Sequence, residues 1–328
     1  MFSKMSNIPE WGFVSGRISV LEAGFLPREF FLSMIGQENV DDVVRNLQDT
    51  FLREHLAAGS ISDELEMVFD RCFYDMALSL RNNCPSTIPA DIFMLKNDYL
   101  NMKTALSGKN TFYLTTEYFT HEKLLAIAQG NYAELPPALR EPALLAAGET
   151  LQTDEYILDI ILDGSYLRHL LSLSKEIKSH MIGKYVNEMV LAYAVMVLWR
   201  AVNQGVSLKR YQQYLLPLGD FTHVVDELIG TNNLEMWPAI IGGEIGVLFN
   251  ESFDADEDEQ ISVFELKVSN YLGKIARDGR YQTAGPERVF AFLSGFLTEM
   301  QNLKLVVTGR LNRIDKHLLR ERLKDCYV

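Results

Sequence analysis

One segment of this chain returns twice, and the interval between its copies constrains the fold more than any composition figure. The stretch from Phe93 to Gly108 reappears near the C-terminus, where Asp98 is matched by Glu299, Asn101 by Asn302, Lys103 by Lys304 and Gly108 by Gly309, each 201 positions on. The apolar positions Ile92, Leu95, Tyr99, Met102 and Leu106 map onto Leu293, Phe296, Met300, Leu303 and Val307. Steps of three and four place that stripe on one face of a helix. A weaker middle copy, 97 positions after the first, keeps Met189, Met196, Trp199, Arg200 and Gly205 but has Val195 and Leu198 where the acid and the asparagine stand. A second element repeats as well: Leu26-Pro27 through Gly36-Gln37-Glu38-Asn39, Phe112-Tyr113-Leu114 through Gly130-Asn131, and Leu216-Pro217 through Gly230-Thr231-Asn232. Each reads as a short apolar helix ended by glycine and a small polar loop. Degenerate copies at this spacing predict three stacked or circularly arranged helical modules.

The rest of the chain reads as helical too. Pro27-Arg28-Glu29 opens a segment with Phe30, Phe31 and Met34 on one side, and Ser62-Asp63-Glu64 opens a longer one with Leu65, Val68, Phe69, Cys72 and Met76 at helical spacing. Pro89 suits a first turn and Gly108 the residue just past an end. Thr120 before Glu122 and Lys123 marks another start that Gly130-Asn131 stops, and Pro286 opens a long helix that Gly309 is expected to close. Alternating β-branched and polar residues are nearly absent, which makes the expected fold all-α.

Composition bounds the function. Acidic residues outnumber basic ones, 44 to 31, for a net charge of −13, which argues against nonspecific binding to nucleic acid or an anionic membrane. Part of the excess is the run Asp254 to Glu259, read as a solvated loop and helix start, where carboxylates suit the helix dipole. The three cysteines Cys72, Cys84 and Cys326 form no CxxC pair and point to a reducing, cytoplasmic compartment. Met1 to Glu10 has no apolar signal core, and the longest uncharged apolar run, Met189 to Trp199, falls short of the roughly 20 residues that cross a bilayer.

Signals of chemistry are poor. There is no GxxxxGK[ST] phosphate loop, and Gly242-Gly243-Glu244-Ile245-Gly246 breaks the GxGxxG pattern with no strand before it, so close helix packing or a bend is expected there. The histidines His55, His121, His169, His180, His223 and His317 are scattered without i,i+4 zinc spacing. Trp11, Trp199 and Trp237 read as core or interface aromatics, and carboxylate pairs such as Asp41-Asp42 and Asp159-Asp163 are ordinary in an acidic helical chain. No enzyme, cofactor or metal is expected.

Binding candidates cluster at the ends of the repeat helices. Lys103, Arg200, Lys304, Arg310 and Arg313 lie where a cation suits the helix dipole, and where it can also meet a partner. Asn101 and Asn302 are candidates for polar contacts between helices, since an amide rarely helps the helix that carries it.

These residues resemble a known family. Gly285-Pro286-Glu287-Arg288-Val289-Phe290 followed by Glu299-Met300-Gln301-Asn302-Leu303-Lys304 and Gly309-Arg310-Leu311-Asn312 is similar to the C-terminal signature of a central-stalk family of V/A-type rotary ATPases, lettered C in bacteria and archaea and d in eukaryotes. Lys96 to Lys103 resembles its first internal copy, and Trp11-Gly12-Phe13-Val14-Ser15-Gly16-Arg17-Ile18 its aromatic-Gly start. Phe296-Leu297 departs from the Lys-Glu common in the family, and the middle copy is eroded. The resemblance implies three similar helical domains in a pseudo-threefold, funnel-like arrangement. Module one would span 1–112 with 286–328, module two 113–206 and module three 207–285. It also implies a non-catalytic central-stalk component at the cytoplasmic face, joining the shaft of subunits D and F to the rotor-ring proteolipid subunits and touching the membrane only through that ring. Two other readings stand beside it: a helical-repeat adaptor, which would show shorter repeats of about 33 to 47 residues, and a helical enzyme with a buried carboxylate pair.

Overall fold

A computed structural model of the chain describes residues 8–48, 50–54, 62–114, 119–133, 135–148, 155–231 and 233–328. Residues 1–7, His55 and Asn232, noted above, lie outside them. Every regular element among the described residues is helical, so the chain is all-α. The first helices are α1 (Ile8–Leu21), α2 (Arg28–Gly36), α3 (Val40–Leu47), α4 (Ser62–Arg81) and α5 (Ile88–Leu106). There follow α6 (His121–Ala128), α7 (Pro137–Gly148), α8 (Glu155–Ile177), α9 (His180–Asn203), α10 (Lys209–Leu215) and α11 (Thr222–Gly230). The last are α12 (Trp237–Ile241), α13 (Gly243–Ser252), α14 (Gln260–Arg277), α15 (Pro286–Leu311) and α16 (Lys316–Arg322). They divide into two compact units, one made of Met1–Phe93, Ser179–Tyr185 and Ser269–Val328, the other of Met94–Lys178 and Val186–Val268.

The first unit is built around α15, which packs against α1, α2, α3, α4 and α16. Pro286 sits at its start, where a missing N–H costs nothing. Val289 to Phe296 are buried on every side of the helix; beyond them a buried face through Asn302, Leu303, Val306 and Val307 leaves a stripe at Leu297, Gln301 and Lys304 open, the pattern of a helix mostly in the core. The C-terminal segment lies along it. Tyr327 stacks on Phe25 with ring centroids 4.4 Å apart, and its hydroxyl donates to Glu22 at 2.6 Å. Glu22 in turn pairs with Arg288 at 2.5 Å, both side chains little exposed. Gly295 permits this approach, since a Cβ there would overlap the Tyr327 ring.

The second unit packs α8 against α7 and α10. Gly164 leaves room for the backbone of Tyr214 and Leu215, and Arg168 donates to the Tyr214 and Leu215 carbonyls at 3.0 and 3.2 Å. Those carbonyls close α10 and would otherwise lack a partner. Trp199 of α9 gathers Phe249, Phe253 and Phe264 at 4.6, 5.5 and 6.0 Å. Trp11, Trp199 and Trp237 are all buried. α9 is long and apolar enough to cross a membrane by length and composition, yet 50% of its most apolar window is buried inside the protein.

The helix ends mostly match the sequence signals. Thr120 caps α6 by accepting from the Lys123 N–H at 3.3 Å. Gly108 and Gly205 adopt φ of 71° and 67° and close α5 and α9 through Lys109 N–H to Thr104 O at 3.1 Å and Val206 N–H to Ala201 O at 2.9 Å, the six-to-one bond of a glycine-ended helix. Gly309 does not close α15. The helix runs on to Leu311, Arg313 takes the left-handed position at φ 58°, and Ile314 donates to Gly309 O at 2.8 Å. Gly309 is small for a different reason: Leu319 of α16 occupies the space its Cβ would need. At Gly242 and Gly243, both with positive φ, the chain bends between α12 and α13, and a Cβ on Gly246 would lie 2.6 Å from Pro238 O.

Candidate functional site

The repeat brings equivalent side chains into equivalent surroundings. Lys103 on α5 pairs with Asp159 on α8 at 2.5 Å, Arg200 on α9 with Glu265 on α14 at 2.5 Å, and Lys304 on α15 with Asp70 on α4 at 3.1 Å. In each copy a cation in the last turns reaches an acid on another helix of its own unit. The pairs are partly exposed, so each adds at most about 1 kcal/mol. Arg310 behaves differently. It is 8% exposed and donates to the carbonyls of Gln37 and Glu38 at 2.6 and 3.5 Å, satisfying backbone left open where α2 ends. Arg313 is exposed at the turn after α15.

The two asparagines make matching clamps. Asn101, fully buried, donates to Tyr113 O at 2.6 Å and accepts from Tyr113 N–H at 2.8 Å. Asn302 donates to Lys324 O at 3.1 Å and accepts from Lys324 N–H at 3.0 Å. Each amide thus holds one residue's backbone in a non-helical segment that comes after its helix, whereas the sequence pointed to contacts with neighbouring helices. The chemistry is that of a short strand pairing, with a side-chain amide in place of a second backbone.

Glu299 was not among the sequence candidates. It is 5% exposed, and its Oε2 accepts from the Leu26 N–H at 2.6 Å, while Oε1 has no hydrogen-bond partner in the protein. Burial pushes its carboxyl up from the ordinary 4.5 to about 8, against the Leu26 bond, which lowers it. Glu299 lines a cavity of about 420 Å³ walled by Val20, Leu21, Phe25, Met76, Phe292 and Phe296. The signal in the sequence was its place in the repeat, matching Asp98. What could not be read was the position of Leu26, which lies far away along the chain.

A second cavity of about 230 Å³ lies beside Lys103 and is lined by Asp159, Asp163 and Tyr193 among others. Asp163 accepts from the Tyr193 hydroxyl at 3.1 Å, and burial pushes it up to about 6. Its neighbour Asp159 is only half-buried and pairs with Lys103. The acidic run at Asp254 to Glu259 lies in the exposed turns before α14. Among the described residues, no three His, Cys, Asp or Glu side chains gather as a metal site would need.

A family model described as ATP synthase (C/AC39) subunit matches residues 14–322 of the chain. No curated protein matches it.

Proposed function

Because this chain belongs to the ATP synthase (C/AC39) subunit family, we propose that it is the non-catalytic central-stalk component of a V/A-type rotary ATPase, coupling a shaft of subunits D and F to the membrane rotor ring. The observation that carries this reading is the extent of the match, which runs from the end of α1's second turn to the end of α16. Torque transfer needs a body that resists shear, and a close-packed helical interior deforms little. The packing of α15 against the first four helices supports a first module of 1–112 joined by 286–328, with modules 113–206 and 207–285 completing a threefold set. The chain would then lie at the cytoplasmic face of the membrane and touch the bilayer only through the ring.

Of the five cations, Arg313 is the best contact candidate, because Arg310 is committed to the α2 carbonyls and Lys103, Arg200 and Lys304 to acids of this chain. The test is a pull-down of tagged protein from mildly solubilised membranes of its source. Ring, D and F subunits are expected to co-purify, and an Arg313→Glu variant is expected to retain less of them. Recovery of no rotary-ATPase subunit would favour a helical adaptor with no rotary role.

A further inference from the structure

The stalk role proposed above does not call on the cavity beside Glu299, which has the features of a built site. Its volume, about 420 Å³, falls in the range of roughly 300–1,000 Å³ typical of ligand clefts. The walls are apolar and aromatic, from Val20 and Leu21 on α1, Phe25 in the turn that follows, Met76 on α4 and Phe292 and Phe296 on α15. One carboxyl stands among them. Glu299 Oε2 is held by the Leu26 N–H, which fixes the group, and Oε1 is buried without a protein partner. An acceptor in that state costs free energy until something donates to it.

We propose that this cavity binds a small organic ammonium carried on an apolar body, with its cation paired to the Glu299 carboxylate and its body against the Phe25, Phe292 and Phe296 rings. The charges favour a cation. Asp75 on α4 also lines the cavity, while the one basic residue there, Arg17, has its guanidinium bonded to Ser79 Oγ at 2.8 Å. A single fixed carboxyl among apolar walls lacks the several oxygens a hard metal ion requires. An anion would meet the Asp75 carboxylate and, once Glu299 ionises, a second.

Proton linkage follows from the same group. The titratable or charged groups near Glu299 are Cys72 and Asp75 on α4, Arg17 on α1 and Cys326 in the C-terminal segment. Burial pushes the Cys72 thiol up to about 12 and the Cys326 thiol to about 11, so both stay neutral from pH 6 to 9. Glu299, raised to about 8, must ionise to pair with the ligand. The fraction ionised rises about tenfold between pH 7 and pH 9, and affinity rises with it while the amine keeps its charge.

The test is calorimetric titration of the full chain with 4-phenylbutylamine, 4-phenylbutanol and 4-phenylbutyrate at pH 7 and pH 9. Saturable binding of the amine alone, about tenfold tighter at pH 9, is expected. Glu299→Gln should abolish it; Gln can still accept from Leu26, and a melting curve reports whether the variant folds. Val20→Trp offers an independent block: Val20 is 75% exposed on the rim, and an indole there obstructs entry without touching Glu299. Equal binding of alcohol and amine, binding that survives both substitutions, or no saturable binding of the amine would overturn the proposal.

Discussion

Where α15 carries Glu299 and Asn302, the matching positions of α9 carry Val195 and Leu198, and all four side chains are buried. On α15 the two polar groups reach backbone outside any helix, the Leu26 N–H and the Lys324 N–H and carbonyl. On α9 the apolar pair only packs. α5 stands between them, with Asn101 clamping Tyr113 and Asp98 half-buried. What erodes in the middle copy is therefore the tie to a returning segment. The helix itself survives, with its Gly205 end and its Arg200–Glu265 pair. A repeat helix needs the apolar stripe to fold; it needs the buried acid and amide only where it must also hold a non-helical segment in place.

Exchanging the two chemistries should break this comparison most sharply. Leu198→Asn places an amide in a fully buried site and opens a void there, and a loss of about 3–5 kcal/mol is expected in denaturant unfolding. Next is glycine. Gly295→Ala on α15 must displace the Tyr327 ring and should cost about 2–3 kcal/mol. Gly183→Ala on α9 meets nothing within 4 Å and should stabilise by about 0.5–1 kcal/mol. Melting temperatures of the two variants should move in opposite directions.

Glu299 sets the third expectation. Its folded pKa, about 8, lies above its ordinary 4.5, so the native state favours the protonated form. The sign follows: the contribution is fully present below pH 4.5 and is lost as the pH rises through 8. The whole shift corresponds to roughly 5 kcal/mol, and water entering the open side of the cavity reduces this to on the order of 2–3 kcal/mol. Glu299→Gln should flatten stability between pH 5 and 9 and be the more stable protein at pH 9. An unchanged slope would mean that Glu299 is already ionised in the fold. The smallest loss tests the clamps: Asn302→Ala and Asn101→Ala should each cost about 1–2 kcal/mol, through two hydrogen bonds to one residue's backbone. Hydrogen exchange should quicken at Lys324 in the first variant and at Tyr113 in the second.

Much of the fold was legible because it rests on local signals. Thr120, Pro286, Gly108 and Gly205 act at the helix ends where their backbone chemistry placed them. The stripes of the first and last copies are buried throughout, while Met189 and Met196 of the middle copy are only half-buried. Gly309 misled because a glycine has two uses, as a left-handed turn and as a gap for a neighbour, and the sequence near it does not distinguish them. The site was less legible. That Lys304 meets Asp70, that Arg310 serves the end of α2, and that Glu299 meets Leu26 all depend on segments brought together by tertiary packing. The repeat marked these positions as alike without saying what each one touches.

The proposed place of this chain is between rotor ring and shaft. Electron cryo-microscopy of the rotary ATPase purified from source membranes, with this chain carrying a C-terminal tag bound by a labelled antibody fragment, tests it directly. Density is expected for an all-α body on the cytoplasmic side of the ring, touching the foot of the shaft, with the label beside it. Label density on a peripheral stalk, or an intact complex in which this chain is missing, would contradict it.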